Sequence, residues 1–326
     1  MSLMKAIVYE RYGPPDVLEL RDIDKPTPKG NEVLIKIHAT TVTSGDWRVR
    51  SLTMPVGFGL IARLVLGVSR PRKHILGTEL AGEIESVGKE VRKFKAGDQV
   101  FAFPGAAMGC YAEYRCMPED GPVARKPPNL TYDEAAALSF GGTTALDFFR
   151  RGKLQSGETV LVNGASGGVG TAAVQLARHF GAEVTGVCSA ANMELVRSLG
   201  ATHVIDYTKV DFTRNGETYD IIVDTVGTAP FSRCKDSLKK GGRLLLVVGA
   251  LPAILQIPWV SMTSSKKIIG GPARTEDLPF LAKLAEAGEF RPVIDRRYPF
   301  EQIVEAHRYL DTGRKKGNVI ITLEPS

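Results

Sequence analysis

The stretch Thr159-Val160-Leu161-Val162-Asn163-Gly164-Ala165-Ser166-Gly167-Gly168-Val169-Gly170 joins an apolar run to a helical pattern through a glycine turn. Thr159 to Val162 reads as a buried strand. Beyond the glycines, Val169, Ala172, Ala173, Leu176, Ala177 and Phe180 recur at the i, i+3, i+4, i+7 spacing of a helix packed on a sheet. A helix that starts at such a turn points its unpaired N–H groups and positive dipole end at whatever anion lies there. Against the pattern G-x-G-x-x-G the run reads Ala165-x-Gly167-x-x-Gly170, with Ala in the first place. Gly167 lets a pyrophosphate approach the backbone and Gly170 lets the helix lie close to the strands. Ala165, Ser166, Gly167, Gly168, Val169 and Gly170 are therefore assigned to dinucleotide binding.

The surrounding pattern extends this reading to a domain. Strand-like Ala182 to Cys188, helix-like Met193 to Leu199, and strand-like His203 to Asp206, Ile221 to Asp224 and Leu244 to Val248 follow in alternation, as a doubly wound parallel sheet requires. Ahead of it the rhythm changes. Val33, Ile35, Ile37 and Ala39 alternate with Leu34, Lys36 and His38, and Val100 to Phe103 follows the Ala96-Gly97-Asp98 turn, which points to antiparallel β structure. Pro127-Pro128-Asn129 breaks the chain, and Thr131-x-x-Glu134 is a capping-box signature for a helix over Ala135 to Leu138. After strand-like Lys266 to Gly271 and helix-like Thr275 to Ala287, the chain leaves the nucleotide pattern at Arg291-Pro292. Glu301 to Leu310 is helical and Asn318 to Leu323 is a last strand. The expected division is residues 1–128, completed by 292–326, and residues 129–291.

Composition sets the class. At 326 residues and 43% hydrophobic, the chain has material for two cores. Its formal charge of +6 is spread thinly, with Arg314-Lys315-Lys316 the tight trio, so a nucleic-acid partner is not expected. Leu52 to Val68 is apolar but is interrupted by Pro55 and Arg63 and is too short to span a bilayer, so no membrane partner is expected either. Cys110, Cys116, Cys188 and Cys234 show no paired spacing and read as free thiols, consistent with a cytoplasmic address. Met1-Ser2-Leu3 reads as a remnant before a natural start at Met4, with no secretory leader behind it.

With these residues placed, the chain resembles the medium-chain dehydrogenase/reductase superfamily, in its zinc-independent quinone oxidoreductase-like branch. The resemblance rests on Gly77-Thr78-Glu79-Leu80-Ala81-Gly82, Val87-Gly88, Phe94-Lys95-Ala96-Gly97-Asp98-Gln99-Val100, Gly142-Thr143-Thr144-Ala145, the glycine turn and Lys316-Gly317-Asn318-Val319-Ile320. It implies an α/β architecture of a GroES-like β-rich domain and a Rossmann doubly wound parallel-sheet domain, a cleft between them, and a homodimer. Where zinc-dependent relatives carry Gly-His-Glu this chain has Gly77-Thr78-Glu79, and the usual cysteine region reads Thr43-Ser44-Gly45-Asp46, so no metal is expected. Cys110 and Cys116 lack the neighbours a four-cysteine zinc lobe needs.

An NAD site has an acidic residue about 20 positions beyond the glycines, on the ribose hydroxyls. Here the run is Val187-Cys188-Ser189-Ala190-Ala191-Asn192, without a carboxylate and with Ser189 and Asn192 able to donate hydrogen bonds, which favours NADP(H). By resemblance, Tyr207 contacts the phosphate, and Lys315 or Lys316 from the returning segment adds positive charge. The resemblance also places Thr143 and Thr144 near the nicotinamide ribose, Asp224, Thr225 and Val226 along the adenine side, Gly249 by the nicotinamide and Asn318 in the cofactor groove. Ser44 and Asp46 fall in the family's active-site loop, Asp46 reading first as a structural hydrogen-bonding group and second as a proton donor. Trp47, Met54 and Phe58 are taken as substrate contacts, within an apolar flap running from Leu52 to Ile61 and on through Leu64, Val65 and Leu66, a stretch that reads alternatively as a helix packing Leu60 and Leu64 onto its own domain. The activity implied is NADPH-dependent hydride transfer to a quinone or α,β-unsaturated carbonyl, small and apolar. The alternatives are an NADP-dependent alcohol or aldehyde oxidoreductase and a non-catalytic NADPH-binding redox sensor.

Overall fold

The structure is a computed structural model and describes residues 2–273 and 277–323. Met1 of the expected remnant, Thr275 of the expected helix, and Glu324 to Ser326 lie outside the described residues. In chain order the first elements are β1 (Leu3–Val8), β2 (Glu19–Asp24), β3 (Glu32–Val42), α1 (Ser44–Ser51), α2 (Gly59–Leu66), β4 (Leu80–Val87), β5 (Gln99–Ala102), β6 (Tyr114–Pro118), β7 (Val123–Arg125) and α3 (Tyr132–Ala136). Then come α4 (Ser139–Gly152), β8 (Thr159–Asn163), α5 (Gly168–His179), β9 (Glu183–Cys188), α6 (Met193–Ser198), β10 (His203–Asp206) and β11 (Tyr219–Asp224). The last are α7 (Phe231–Cys234), β12 (Leu238–Leu246), α8 (Leu251–Leu255), α9 (Ile257–Thr263), β13 (Lys267–Gly270), α10 (Leu278–Glu286), β14 (Ile294–Pro299), α11 (Ile303–Asp311) and β15 (Asn318–Thr322).

The chain divides into two compact units. One comprises Met1–Met54, Gly59–Phe140 and Glu276–Ser326, the other Pro55–Phe58 and Gly141–Thr275, less the undescribed residues. The division therefore falls twelve residues beyond Pro128, and about sixteen before Pro292. The reason is packing: capped by Thr131, α3 lies on β3, β4, β5 and β15, α10 lies on β7, and Asn129 Nδ2 donates to the Ala285 carbonyl at 3.0 Å.

In the first unit, a seven-stranded sheet runs β14-β15-β3-β4-β5-β7, with β6 also on β3, beside the β1–β2 ribbon. β15 is parallel to β14 and antiparallel to β3, so the returning C-terminal segment completes the sheet. Its core gathers Ile7, Tyr9, Val42, Leu76 and Tyr111 with Phe300, Ile303, Leu310, Val319 and Ile321, joining residues from both ends of the chain.

In the second unit, six strands run β10-β9-β8-β11-β12-β13, every pair parallel. In local numbering this is 3-2-1-4-5-6, the order of a dinucleotide fold, with its switch point between β8 and β11. The expected strands are present, β12 starting six residues early. The α5 helix departs from a one-sided stripe: Thr171, Val174 and Gln175 are buried as well as Ala172, Ala173, Leu176 and Ala177. The start of α4 covers the opposite face, so close that a Cβ on Gly141 would stand 2.5 Å from the Gly168 carbonyl oxygen.

Candidate functional site

The glycine turn is built from backbone geometry. Gly164 adopts φ +83°, and both Gly164 N–H and Ala165 N–H donate to the Val187 carbonyl of β9. Gly167 caps α5 with extended φ and ψ and no side-chain capping bond, leaving the first N–H groups of the helix directed outward. Gly170 has no room for a side chain, since its Cβ would lie 2.0 Å from the Gly164 oxygen. A Cβ on Gly167 would meet only that same oxygen, at 3.6 Å. One glycine is thus needed by the fold, while the other keeps an approach to the backbone open, which is the arrangement a pyrophosphate requires.

Other expected cofactor residues join this turn. Asn192 Nδ2 donates to Ser166 Oγ at 3.0 Å, linking the loop after β9 to the turn. That loop holds Ser189, half-buried, and no carboxylate. Tyr207 stands 62% exposed just after β10. Asp206, before it, accepts bonds from Thr208 and holds its proton below the ordinary carboxyl range for that reason.

At the switch point, Asp224 is fully buried and spends both oxygens on its own surroundings: Oδ1 accepts from Asn163 Nδ2, Val226 N–H and Gly227 N–H, and Oδ2 from Ala229 N–H at 2.8 Å. Thr225 Oγ1 donates to the Asn163 carbonyl at 2.8 Å. Asp224 and Thr225 therefore shape the loop, leaving half-exposed Val226 and the backbone to face a ligand. Thr143 and Thr144 lie within α4, Thr143 buried, and Gly249 is half-buried close to Ile254.

Asn318 and Lys316 belong to the first unit. Asn318 Nδ2 donates to the Val293 carbonyl and Lys316 N–H to Asp295. Lys315 is committed there too, facing Glu79, Asp295 and Asp46, and desolvation pushes its ammonium down to about 8. These contacts tie Lys315 and the backbone of Lys316 into their own unit.

The active-site loop of the first unit is a polar cluster in a dry setting. Thr43 caps α1: its Oγ1 accepts from Asp46 N–H, and Asp46 Oδ2 accepts from Thr43 N–H and Oγ1 at 2.9 and 2.6 Å. Asp46 Oδ1 accepts from Gly77 N–H at 3.0 Å. Burial pushes this carboxyl up to about 6 against those bonds. Both oxygens serve the loop, the work of a structural clamp. Ser44 is half-buried on the first turn, and Trp47 packs against the core.

Thr78, in the place of the histidine that the resemblance gives to zinc-dependent relatives, has Thr43 Oγ1 3.3 Å from its hydroxyl, and among the described residues no three His, Cys, Asp or Glu side chains cluster as ligands. Burial also pushes the thiols of Cys110, Cys116, Cys188 and Cys234 up, to about 12, 11, 11 and 12, so none offers a ready thiolate.

Sequence reasoning left one group unassigned. Glu79 is fully buried, accepts from Thr41 Oγ1 at one oxygen and from Phe140 N–H at the other, and is pushed up to about 7, chiefly by desolvation. Its place beside Thr78 in Gly77-Thr78-Glu79 was the available signal.

The expected flap is anchored. Pro55–Phe58 joins the second unit, where Leu251 N–H donates to the Val56 carbonyl at 2.9 Å, and Gly57 sits at φ +90° against Leu251. Met54 and Phe58 are half-buried at the ends of this strap.

Residues 29–128 match the family model described as alcohol dehydrogenase GroES-like domain, and 199–321 the one described as zinc-binding dehydrogenase. A 2-methylene-furan-3-one reductase of Solanum lycopersicum is 34% identical over 98% of this chain and 79% of its own length. A chloroplastic quinone-oxidoreductase homolog of Spinacia oleracea is 33% identical, with 98% of each chain covered. The structure of a quinone oxidoreductase from Coxiella burnetii superposes with TM-score 0.86 at 29% identity, covering 99% of this chain and 100% of that one. The chain belongs to the medium-chain dehydrogenase/reductase superfamily, in its quinone oxidoreductase-like branch. It is an oxidoreductase related to quinone and enone reductases, and its family uses a nicotinamide cofactor.

Proposed function

We propose that this protein is a zinc-independent, NADPH-dependent reductase that delivers hydride to a quinone or α,β-unsaturated carbonyl. The observation that carries the cofactor half is the open approach at Gly167, beside a β9 loop whose polar groups, Ser189 and Asn192, replace the carboxylate of an NAD site. Ala165 to Gly170, Val226, Thr143, Thr144 and Gly249 would hold the dinucleotide, and Ser189 and Tyr207 its 2′-phosphate. When bound, the nicotinamide supplies the hydride. The chain's own residues orient it and keep water away. The hydroxyls of Thr43 and Thr78, fixed by the Asp46 clamp, supply hydrogen-bonding capacity where relatives bind metal.

Calorimetric titration tests the cofactor choice. NADPH should bind about tenfold or more tighter than NADH, the equivalent of one charge-assisted hydrogen bond at about 1.5 to 3 kcal/mol; equal affinity overturns it. A panel of quinones, enones, aldehydes and, in reverse, alcohols tests the acceptor. Alcohol turnover alone would favour the alcohol dehydrogenase reading, and binding without turnover the redox-sensor reading. A homodimer, inferred from the family, is checked by light scattering. A cytoplasmic address is inferred from the unpaired cysteines and checked by cell fractionation; among the described residues, no helix is long and apolar enough to cross a membrane.

A further inference from the structure

Helix α2 carries its apolar side outward. In Gly59–Leu66 only Ala62 is buried, while Leu60, Leu64 and Val65 are 73%, 58% and 63% exposed and Ile61 is exposed beside them. The pairs 60/64 and 61/65 share one face, and Val68 extends it. A surface helix of a soluble domain normally turns polar residues to water, and a contiguous apolar face marks a contact surface.

Charge says what the contact is. From Trp47 to Thr78 the chain has no Asp or Glu, although 36 occur in the whole sequence. Around the helix, Arg63, Arg70, Arg72 and Lys73 are exposed, and among the described residues none of the four forms an ion pair. The second unit repeats the combination independently. Between Asp236 and Glu276 there is no acidic residue, and α8 and α9 expose Leu255, Trp259 and Met262 in a segment that also exposes Lys240 and Lys267.

We propose that α2 docks on an anionic lipid bilayer, with Leu60, Ile61, Leu64 and Val65 entering the headgroup boundary and the flanking arginines meeting lipid phosphates. Aliphatic side chains ringed by exposed cations that form no ion pair, Arg63 and Lys73 donating only to the Val68 and Ala107 carbonyls, are the chemistry of an interfacial helix. A second copy of this chain would bring the same positive charge against itself, so self-association is disfavoured at this face. The expectation of no membrane partner rested on span length, which does not bear on a helix lying in the surface.

The test uses the full chain and vesicles, and needs no turnover. The protein should sediment with vesicles of phosphatidylcholine and phosphatidylglycerol mixed two to one, remain free with phosphatidylcholine alone, and be released by salt. The double variant Leu60→Gln, Leu64→Gln should lower partitioning by about tenfold or more, and Arg70→Gln with Arg72→Gln should do so as well, both keeping the wild-type melting temperature. No binding to the anionic vesicles, equal binding to both compositions, or variants that bind as the wild type does would overturn the proposal. So would conversion of a wild-type dimer to a monomer by Leu60→Gln, Leu64→Gln, which would assign the face to a second copy.

Discussion

The Phe140 N–H donates to Glu79 Oε2 at 2.6 Å, which puts a buried carboxyl group at the first turn of α4, the helix that goes on to carry Thr143 and Thr144. The positive end of the helix favours the charged form of Glu79. Burial opposes it and is the larger effect, leaving the group at about 7.

Glu79→Gln tests that balance through pH. The folded chain holds this proton to about 7, against an ordinary value of 4.5. The group's contribution to stability is therefore full below the ordinary value and is lost as pH rises through about 7. Wild-type stability relative to Glu79→Gln should fall by about 1 to 3 kcal/mol across that window. Denaturant titrations at a series of pH values measure it, and a pH-independent difference would refute the assignment.

The two glycines of the turn should separate fold from binding. Gly170→Ala places a methyl 2.0 Å from a backbone oxygen and should destabilise by about 1 to 3 kcal/mol or more. Gly167→Val makes only ordinary contact with the Gly164 oxygen at 3.6 Å, so the protein should stay folded with no more than the about 1 kcal/mol loss of a poorer helix cap, while NADPH affinity drops by about tenfold or more. A folded Gly167→Val protein that binds NADPH normally would make the turn purely structural.

Elemental analysis of the purified protein should find far less than one zinc per chain, and a chelator should leave turnover unchanged. The ligand positions present hydroxyls, Ser44 and Thr78, in place of thiolate and imidazole. Stoichiometric zinc lost together with activity would reverse this prediction.

Phe58 ends the strap pinned by Val56 and Leu251. Removing its ring with Phe58→Ala should raise KM for bulky quinones more than for small enones, with NADPH affinity unaltered. Steady-state kinetics on a graded acceptor series decides it; a uniform loss on all acceptors would return Phe58 to a packing role.

What was readable in the sequence was local. Ala165 to Gly170 stands out because glycine permits a tight turn and a close backbone approach within a few residues, and Thr131 with Glu134 because a capping box closes over one turn. The α4 helix gives no helical signal in the sequence, since Gly141, Gly142, Thr143 and Thr144 are weak helix formers held by tertiary packing. Nothing local joins Glu79 to Lys315; the return of the chain does that. The outward face of α2 was hidden for another reason: a helical apolar stripe has the same spacing whether it meets a core or water.

The position of β15 between β14 and β3 has a consequence for biosynthesis. Until residues 318–322 leave the ribosome, Ala39 to Val42 of β3 lack the partners Val319 to Thr322 and present an open strand edge. The parallel sheet of the second unit is complete with β13, some fifty residues earlier, so the middle of the chain can mature first while both flanks wait. A nascent chain that stops short of β15 therefore leaves one finished sheet and one adhesive edge, a substrate for chaperones and for aggregation.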